Sequence, residues 1–469
     1  MSKGDFGSST DEALPVVARL DAAAEPGLVR AWVFAAVFSL GVAGALAFLV
    51  AMIKTPAVKP WFEPATFRLI LVAHVTYAMT IWCMMAVAAL WVFLVAEGGG
   101  GRFGKTWSLA NLALTQIGGL GILAAMFVPG GGALLLDYVP LIDAPVYYAG
   151  YALFMAGALS EMVRFLAARR QGFVHPGPVT DGMTAAAVIV IIAALTFAWD
   201  LFDVSRDPRA VGRERLQPMV WGIGHVFQYV YVVAMSVAWW QLTGAALGVR
   251  VAARSYWRGT FALAVLLSTS TLAASMWLGA VDLRYSLSAS VIILSLLALV
   301  ALFAAVPIVR SFNMRRRLGV QAPGGSARTA LIVSMILFTI GVLLDPAGNM
   351  GTLWVPAHYH GVIVGGVTIA LMGSLYHLSE RAGWPPVSRA LATWQPVIFG
   401  IGVATMIAGL AWAGAEGAVR KDWVHGIVVS PQFRTGLNLM GFGAVIAVLG
   451  GIMFVVHTLY SLTRPRRLR

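Results

Sequence analysis

The chain of 469 residues holds eight histidines. Four of them, His74, His225 and the pair His358/His360, stand in long apolar runs, where an imidazole is uncommon. A neutral imidazole offers one nitrogen lone pair to a metal or a haem iron, and it can move a proton near neutral pH. Tyr229 follows His225 by four residues, so a helix would put phenol and imidazole on one face. His358 and His360 are two residues apart, and at roughly 100° per residue on a helix they point about 200° apart. Imidazoles sent to opposite sides cannot share one small ion. They suit a helix standing between two large planar groups. The other four histidines have plainer readings: His175 and His425 fall in loops, and His377 and His457 approach helix ends, where solvation or capping accounts for them. One cysteine, Cys83, excludes a disulfide framework or a multi-cysteine cluster within the chain.

The elements that must position these residues follow from composition. The chain is 59% apolar and 11% charged, against roughly 25% charged in soluble proteins, which excludes a soluble globular enzyme. The net charge of +13 is spread in short clusters between apolar runs, so it reads as membrane topology and not as a nucleic-acid surface. Windows able to cross a bilayer fall at 31–53, 68–96, 107–128, 144–168, 181–204, 218–249, 257–280, 285–309, 327–345, 355–380, 393–414 and 435–463. The expected fold is all-α: a polytopic membrane domain of twelve helices over 31–463, with a polar tail at 1–30 and a basic tail at 464–469. Five acids in the first thirty residues argue against a cleavable signal peptide, so span 1 is expected to be an uncleaved anchor. Glycine runs at 98–101 and 130–132 read as flexible turns between spans. Of the 33 basic residues, 22 lie in the two tails and the even-numbered loops. That bias puts both termini in the cytoplasm. Spans 2, 6 and 10 then begin at the outer face, and His74, His225, His358 and His360 all fall near their beginnings, in one layer.

The segment Val355-Pro356-Ala357-His358-Tyr359-His360-Gly361, with Gly365-Gly366 and Met372-Gly373 after it, resembles span 10 of subunit I of the haem–copper oxidase superfamily, which includes cytochrome c oxidases and nitric oxide reductases. Twelve spans and cytoplasmic termini agree with that resemblance over nearly the whole chain. It implies two haems: His358 as ligand of a high-spin, substrate-binding haem, and His360 with His74 as the two ligands of a low-spin electron-entry haem. It further implies His225 as a copper ligand with Tyr229 beside it, and Arg420-Lys421 as the basic pair that binds haem propionates. An outer-face donor, cytochrome c or a copper-containing subunit II-like protein, would supply electrons. Oxygen or nitric oxide would be reduced, in a bacterial inner membrane.

The sequence departs from the family pattern in span 7. Leu272-Ala273-Ala274-Ser275-Met276-Trp277-Leu278-Gly279 puts Ala273 and Ala274 where the family has two adjacent histidines, and Phe227 replaces the glutamate of span 6. One imidazole is a poor copper site, so the expectation is a copper site missing most of its ligands. Span 8 carries Ser286, Ser288, Ser290 and Ser295 in place of an ionisable proton-path residue. Glu161 reads as the one carboxylate well inside a span, paired with Arg164 three residues on. The leading expectation is a membrane oxidoreductase resembling cytochrome c oxidase subunit I. A nitric oxide reductase-like enzyme and a non-catalytic dihaem electron-transfer or gas-sensing relative remain open.

Overall fold

The computed structural model describes residues 25–56, 63–136, 139–248, 251–283, 287–317, 325–344, 351–421 and 430–467. Most of the polar N-terminal tail, His425, Ser286 and the last two residues of the basic tail lie outside the described residues. Among the described residues, twelve helices are long and apolar enough to cross a membrane: Pro26–Lys54, Ala65–Gly100, Lys105–Phe127, Pro145–Arg170, Pro178–Arg206, Leu216–Leu247, Arg254–Leu278, Ser295–Arg317, Ser326–Leu343, Trp354–Arg381, Arg389–Ala415 and Pro431–Thr463. They are called spans 1 to 12 in that order. The all-α, twelve-span expectation for an integral membrane protein therefore holds.

Local chemistry moves several boundaries. Span 1 starts at Pro26, within the stretch expected as a tail, because proline fits the first helical turn, where its missing N–H would have had no partner. Glu25 before it pairs with Lys105 at 2.9 Å. Span 2 continues through Gly100. The glycines there are not flexible turns: a Cβ at Gly98 or Gly100 would collide with Phe173, so the run lets another loop lie against the helix end. Within the second glycine run, Gly132 opens a short strand, β1 (Gly132–Leu134), paired antiparallel with β2 (Leu141–Asp143) in register Gly132↔Asp143. Span 1 begins and span 12 finishes at the opposite end of the bundle. There the Arg30 guanidinium lies over Trp384, and Arg466 donates to the carbonyl of Ala382.

Small residues set the closest packing, as expected where lipid supplies no hydrophobic drive between helices. Gly402, Gly409, Gly443 and Gly450 press the backbones of spans 11 and 12 together, and Gly118, Gly150 and Gly157 do the same for spans 3 and 4. Burial ranks the spans. The apolar windows of spans 2 and 10 are each 89% buried and that of span 6 is 83% buried, whereas the others range from 28% to 50%. The three spans that carry His74, His225, His358 and His360 are thus the interior of the bundle.

Candidate functional site

In all four interior histidines the ring Nδ1 lies against a backbone carbonyl. His225 Nδ1 is 2.8 Å from Trp221 O, His358 Nδ1 is 2.8 Å from Gly341 O, His360 Nδ1 is 2.7 Å from Pro356 O, and His74 Nδ1 is 3.3 Å from Ala43 O. A carbonyl can only accept, so Nδ1 carries the proton and Nε2 keeps the lone pair. This is the tautomer that a histidine needs to ligate through Nε2. The backbone supplies each acceptor in a specific way. Gly341 of span 9 and Gly361 of span 10 are packed so closely that a Cβ on either would strike the other, and that approach brings the Gly341 carbonyl to His358. Span 10 changes from α-helix to π-helix at His360 and stays so to Thr368. At that change the Pro356 carbonyl takes both the backbone N–H and the ring Nδ1–H of His360.

Span 2 has a π segment as well, Thr76–Ile81, beginning two residues after His74. The His74 and His360 rings lie near enough for a charge on one to be felt by the other, so the structure brings this predicted pair together. Farther along, Trp82 of span 2 donates to Thr368 Oγ1 of span 10 at 3.1 Å. At the opposite end Arg381 pairs with Glu97 across the same two spans. The two histidine helices are fastened along their length.

His225 is buried, with its ring centroid 3.9 Å from that of Trp221. Tyr229 is fully buried, donates to Ile293 O of the span 8 helix at 3.3 Å and neighbours Ser270 of span 7. The two predicted alanines separate: Ala273 falls on the exposed stripe of span 7 with Leu266 and Met276, and only Ala274 packs partly inward. The inward face of that span carries hydroxyls, Ser268, Thr271 and Ser275. Among the described residues no three His, Cys, Asp or Glu side chains gather at one point. Lys421 donates to the carbonyls of Leu135 and Leu136 at 3.0 and 2.8 Å, and Arg420 N donates to Gly351 O. The basic pair thus ties loops together at this end of the bundle. In span 8 the side chains of Ser288 and Ser290, like Ser286 itself, lie outside the described residues.

Glu161 and Arg164 form the expected ion pair, both side chains fully buried and 2.6 Å apart, with Asn111 donating to the second carboxylate oxygen at 3.0 Å. Glu161 is not the one interior carboxylate, however. Asp200 of span 5 is buried too, with Oδ1 accepting from Ser275 Oγ of span 7. Its Oδ2 has no donor among the described residues and lies where a Cβ at Gly222 of span 6 would stand. The signal in the sequence is an ionisable residue within the window 181–204, with Asp203 three residues on. Its place near a span end makes it read as interfacial.

The donor set suits haem: four imidazoles in the tautomer that ligates through Nε2, two of them on near neighbours across interior helices, and among the described residues no cluster of three or more His, Cys, Asp or Glu side chains of the kind a hard or soft metal ion would ask. The comparisons agree. Residues 27–453 match the family model described as "Cytochrome C and Quinol oxidase polypeptide I". The chain is 22% identical to an uncharacterized protein of Rickettsia prowazekii over 91% of this chain and 94% of that one. It is 23% identical to cytochrome c oxidase subunit 1 of Thermus thermophilus over 70% of this chain and 65% of that one. In fold it is similar to a heme-copper terminal oxidase dimer determined by cryo-electron microscopy, with a TM-score of 0.76 at 16% identity, over 96% of this chain and 85% of that one. With the match running almost from end to end, the chain belongs to the cytochrome c and quinol oxidase polypeptide I family.

Proposed function

We propose that the chain is the dihaem subunit of a membrane oxidoreductase. Membership of the family carries haem and an oxidoreductase role in general terms. The finer reading rests on one observation: the four interior histidines all keep their lone pair on Nε2, on the three most buried spans, at one end of the bundle. His74 and His360 would hold a six-coordinate haem between spans 2 and 10, and His358 a five-coordinate haem on the other side of span 10. Bound there, the two groups would supply electron entry from a donor at this end and reduction of a diatomic, oxygen or nitric oxide.

The protein's own residues do the rest. The carbonyls of Gly341, Pro356 and Ala43 hold the ligand rings in one tautomer. Trp82–Thr368 and Arg381–Glu97 hold the spacing of spans 2 and 10. His225 and Tyr229 would stand beside the haem held by His358, where the phenol could give or take a proton. Arg420 and Lys421, at the same end of the bundle, would supply charge to haem propionates. The bias of basic residues supports cytoplasmic termini, with the histidine end facing outwards towards a cytochrome c or a subunit II-like donor, in a bacterial inner membrane. The scarcity of donors near His225 favours a chain that binds little copper and keeps open a nitric oxide-reducing or gas-sensing relative.

The test is spectroscopic, on the purified full-length protein. Expected are reduced-minus-oxidised spectra of two haems, a carbon monoxide shift of the high-spin one, and well under one copper per chain. Haem without any carbon monoxide response would leave only an electron conduit, and stoichiometric copper with rapid oxygen reduction would restore a complete haem–copper centre.

A further inference from the structure

Asp200 has no part in holding haem, yet its surroundings are ordered around it. Its Oδ2 packs against Gly222, and Gly222, His225 and Tyr229 stand at i, i+3 and i+7 on one face of span 6. The acid therefore meets the same helix face as the imidazole and the phenol, one and two turns nearer the end of the bundle. Outward on span 5, Asp203 follows at i+3, near enough for its charge to be felt at Asp200, and accepts from Ala280 N at 2.7 Å. Beyond it, Arg209 bridges Asp207 at 2.8 Å and Asp282 at 3.0 Å, and the guanidinium holds the Asp207 carboxyl below the usual carboxylate range. Inward, Asp200 is bonded to Ser275. Thr271, one turn deeper on the same face of span 7, is buried with its hydroxyl unpaired among the described residues, and Ser270 beside it neighbours Tyr229. An unpaired carboxylate oxygen and an unpaired hydroxyl, both buried, call for ordered water.

We propose that Asp203 and Asp200 pass protons between the end of the bundle where span 6 begins and the phenol of Tyr229, by way of Ser275, Thr271, Ser270 and bridging water. The proposal rests on reading the pocket as a site of diatomic reduction. Reducing oxygen to water takes one proton for each electron, as does reducing two nitric oxide molecules to nitrous oxide and water. Each carboxyl accepts a proton on one oxygen and releases one from the other, so no electron moves along the route and every group returns to its starting state. Chains of acidic and hydroxyl groups inside membrane spans characteristically serve this purpose. The route is independent of span 8, and it enters from the histidine end.

Hydrogen exchange into the Tyr229 phenol tests the route without relying on turnover. Full-length protein in lipid vesicles is moved from H2O to D2O, and the infrared band of Tyr229, assigned by its loss in Tyr229→Phe, is followed in time. Asp200→Asn is expected to slow that exchange by about tenfold or more, which corresponds to a barrier raised by about 1.4 kcal/mol or more, and Asp203→Asn by less. If Asp200→Asn does not fold, Ser275→Ala is expected to give the same slowing. Exchange at the wild-type rate in whichever of Asp200→Asn or Ser275→Ala folds would overturn the route. Haem absorbance in the same samples scores the reading of the site separately: wild-type protein without haem would overturn that reading, while the exchange rate would still score the route.

Discussion

The two ends of the bundle use histidine and charge in opposite ways. Where spans 2, 6 and 10 begin, His74, His225, His358 and His360 give the Nδ1 proton to carbonyls and keep Nε2 as an acceptor. At the end that holds the chain termini, His457 of span 12 uses Nε2 to accept the backbone N–H of Ser388 at 2.9 Å, so its lone pair is consumed in closing the turn before span 11. Carboxylates divide similarly. Glu161 towards the termini end is saturated by Arg164 and Asn111, whereas Asp200 at the histidine end keeps an oxygen without a donor among the described residues. Of the two carboxylates, the one satisfied by its neighbours is structural, and the one that keeps an oxygen without a donor among the described residues is available for chemistry.

The largest expected effect falls on the histidine layer. Replacing His74 or His360 by Ala should abolish the low-spin haem signal, since neither helix alone can supply both axial nitrogens, while His358→Ala should abolish the carbon monoxide shift and leave most low-spin absorbance. Visible difference spectra of the purified variants check this. Unchanged low-spin spectra in both His74→Ala and His360→Ala would break the comparison at its root.

Next comes the saturated carboxylate. Removing one partner of a buried ion pair strands the other, so Glu161→Ala or Arg164→Ala should cost about 3–5 kcal/mol of stability. The double variant Glu161→Leu with Arg164→Met should recover most of it. Thermal unfolding in detergent reads the loss, and haem spectra of the folded fraction should keep their wild-type positions. A shifted spectrum would mean that this end also reaches the cofactor pocket.

A smaller effect is expected where the two uses touch. In Gly361→Ala the new methyl meets the backbone of Gly341, the residue whose carbonyl holds His358. Overpacking of this kind costs about 1–3 kcal/mol, and here it should also weaken the His358 hydrogen bond. The carbon monoxide spectrum should shift while the low-spin signal stays.

Much of this is legible in the sequence. Twelve apolar runs, the basic-residue bias and the spacing of His358 and His360 are local patterns, and each survives folding because membrane helices satisfy their own backbone. Which spans are interior is not legible by hydropathy, since lipid-facing and buried faces are equally apolar; it comes through in the polar residues alone. The π segments that follow His74 in span 2 and begin at His360 in span 10 are departures from regular helical hydrogen bonding that no residue count reveals. The family resemblance puts Ala273 and Ala274 at the histidine positions, but span 7 turns its hydroxyl face inward, with Ser275 bonded to Asp200 and Ala273 exposed. Gly98 and Gly100 read as loop residues because glycine marks both turns and close approaches, and only Phe173 lying across them decides between the two.

The smallest expected effect is at His457, and it is the most discriminating. Its imidazole accepts one backbone N–H at a turn, and a net hydrogen bond of this type is worth about 0.5–1.5 kcal/mol. His457→Ala should therefore lower stability by about that amount, and His457→Gln, whose amide oxygen can accept from Ser388 N, should recover part of it. Neither variant should alter haem content, the low-spin spectrum or the carbon monoxide response, because the lone pair of this ring is already taken. The neighbouring Tyr376 ring, 5.9 Å away between centroids, loses an edge contact in the alanine variant, so the stability loss belongs to packing as well as to the hydrogen bond. Thermal unfolding and visible spectra on the same samples separate the two roles. If His457→Ala removed a haem signal, histidines at the two ends would differ in position but not in use, and tautomer would lose its value as the mark of a ligand.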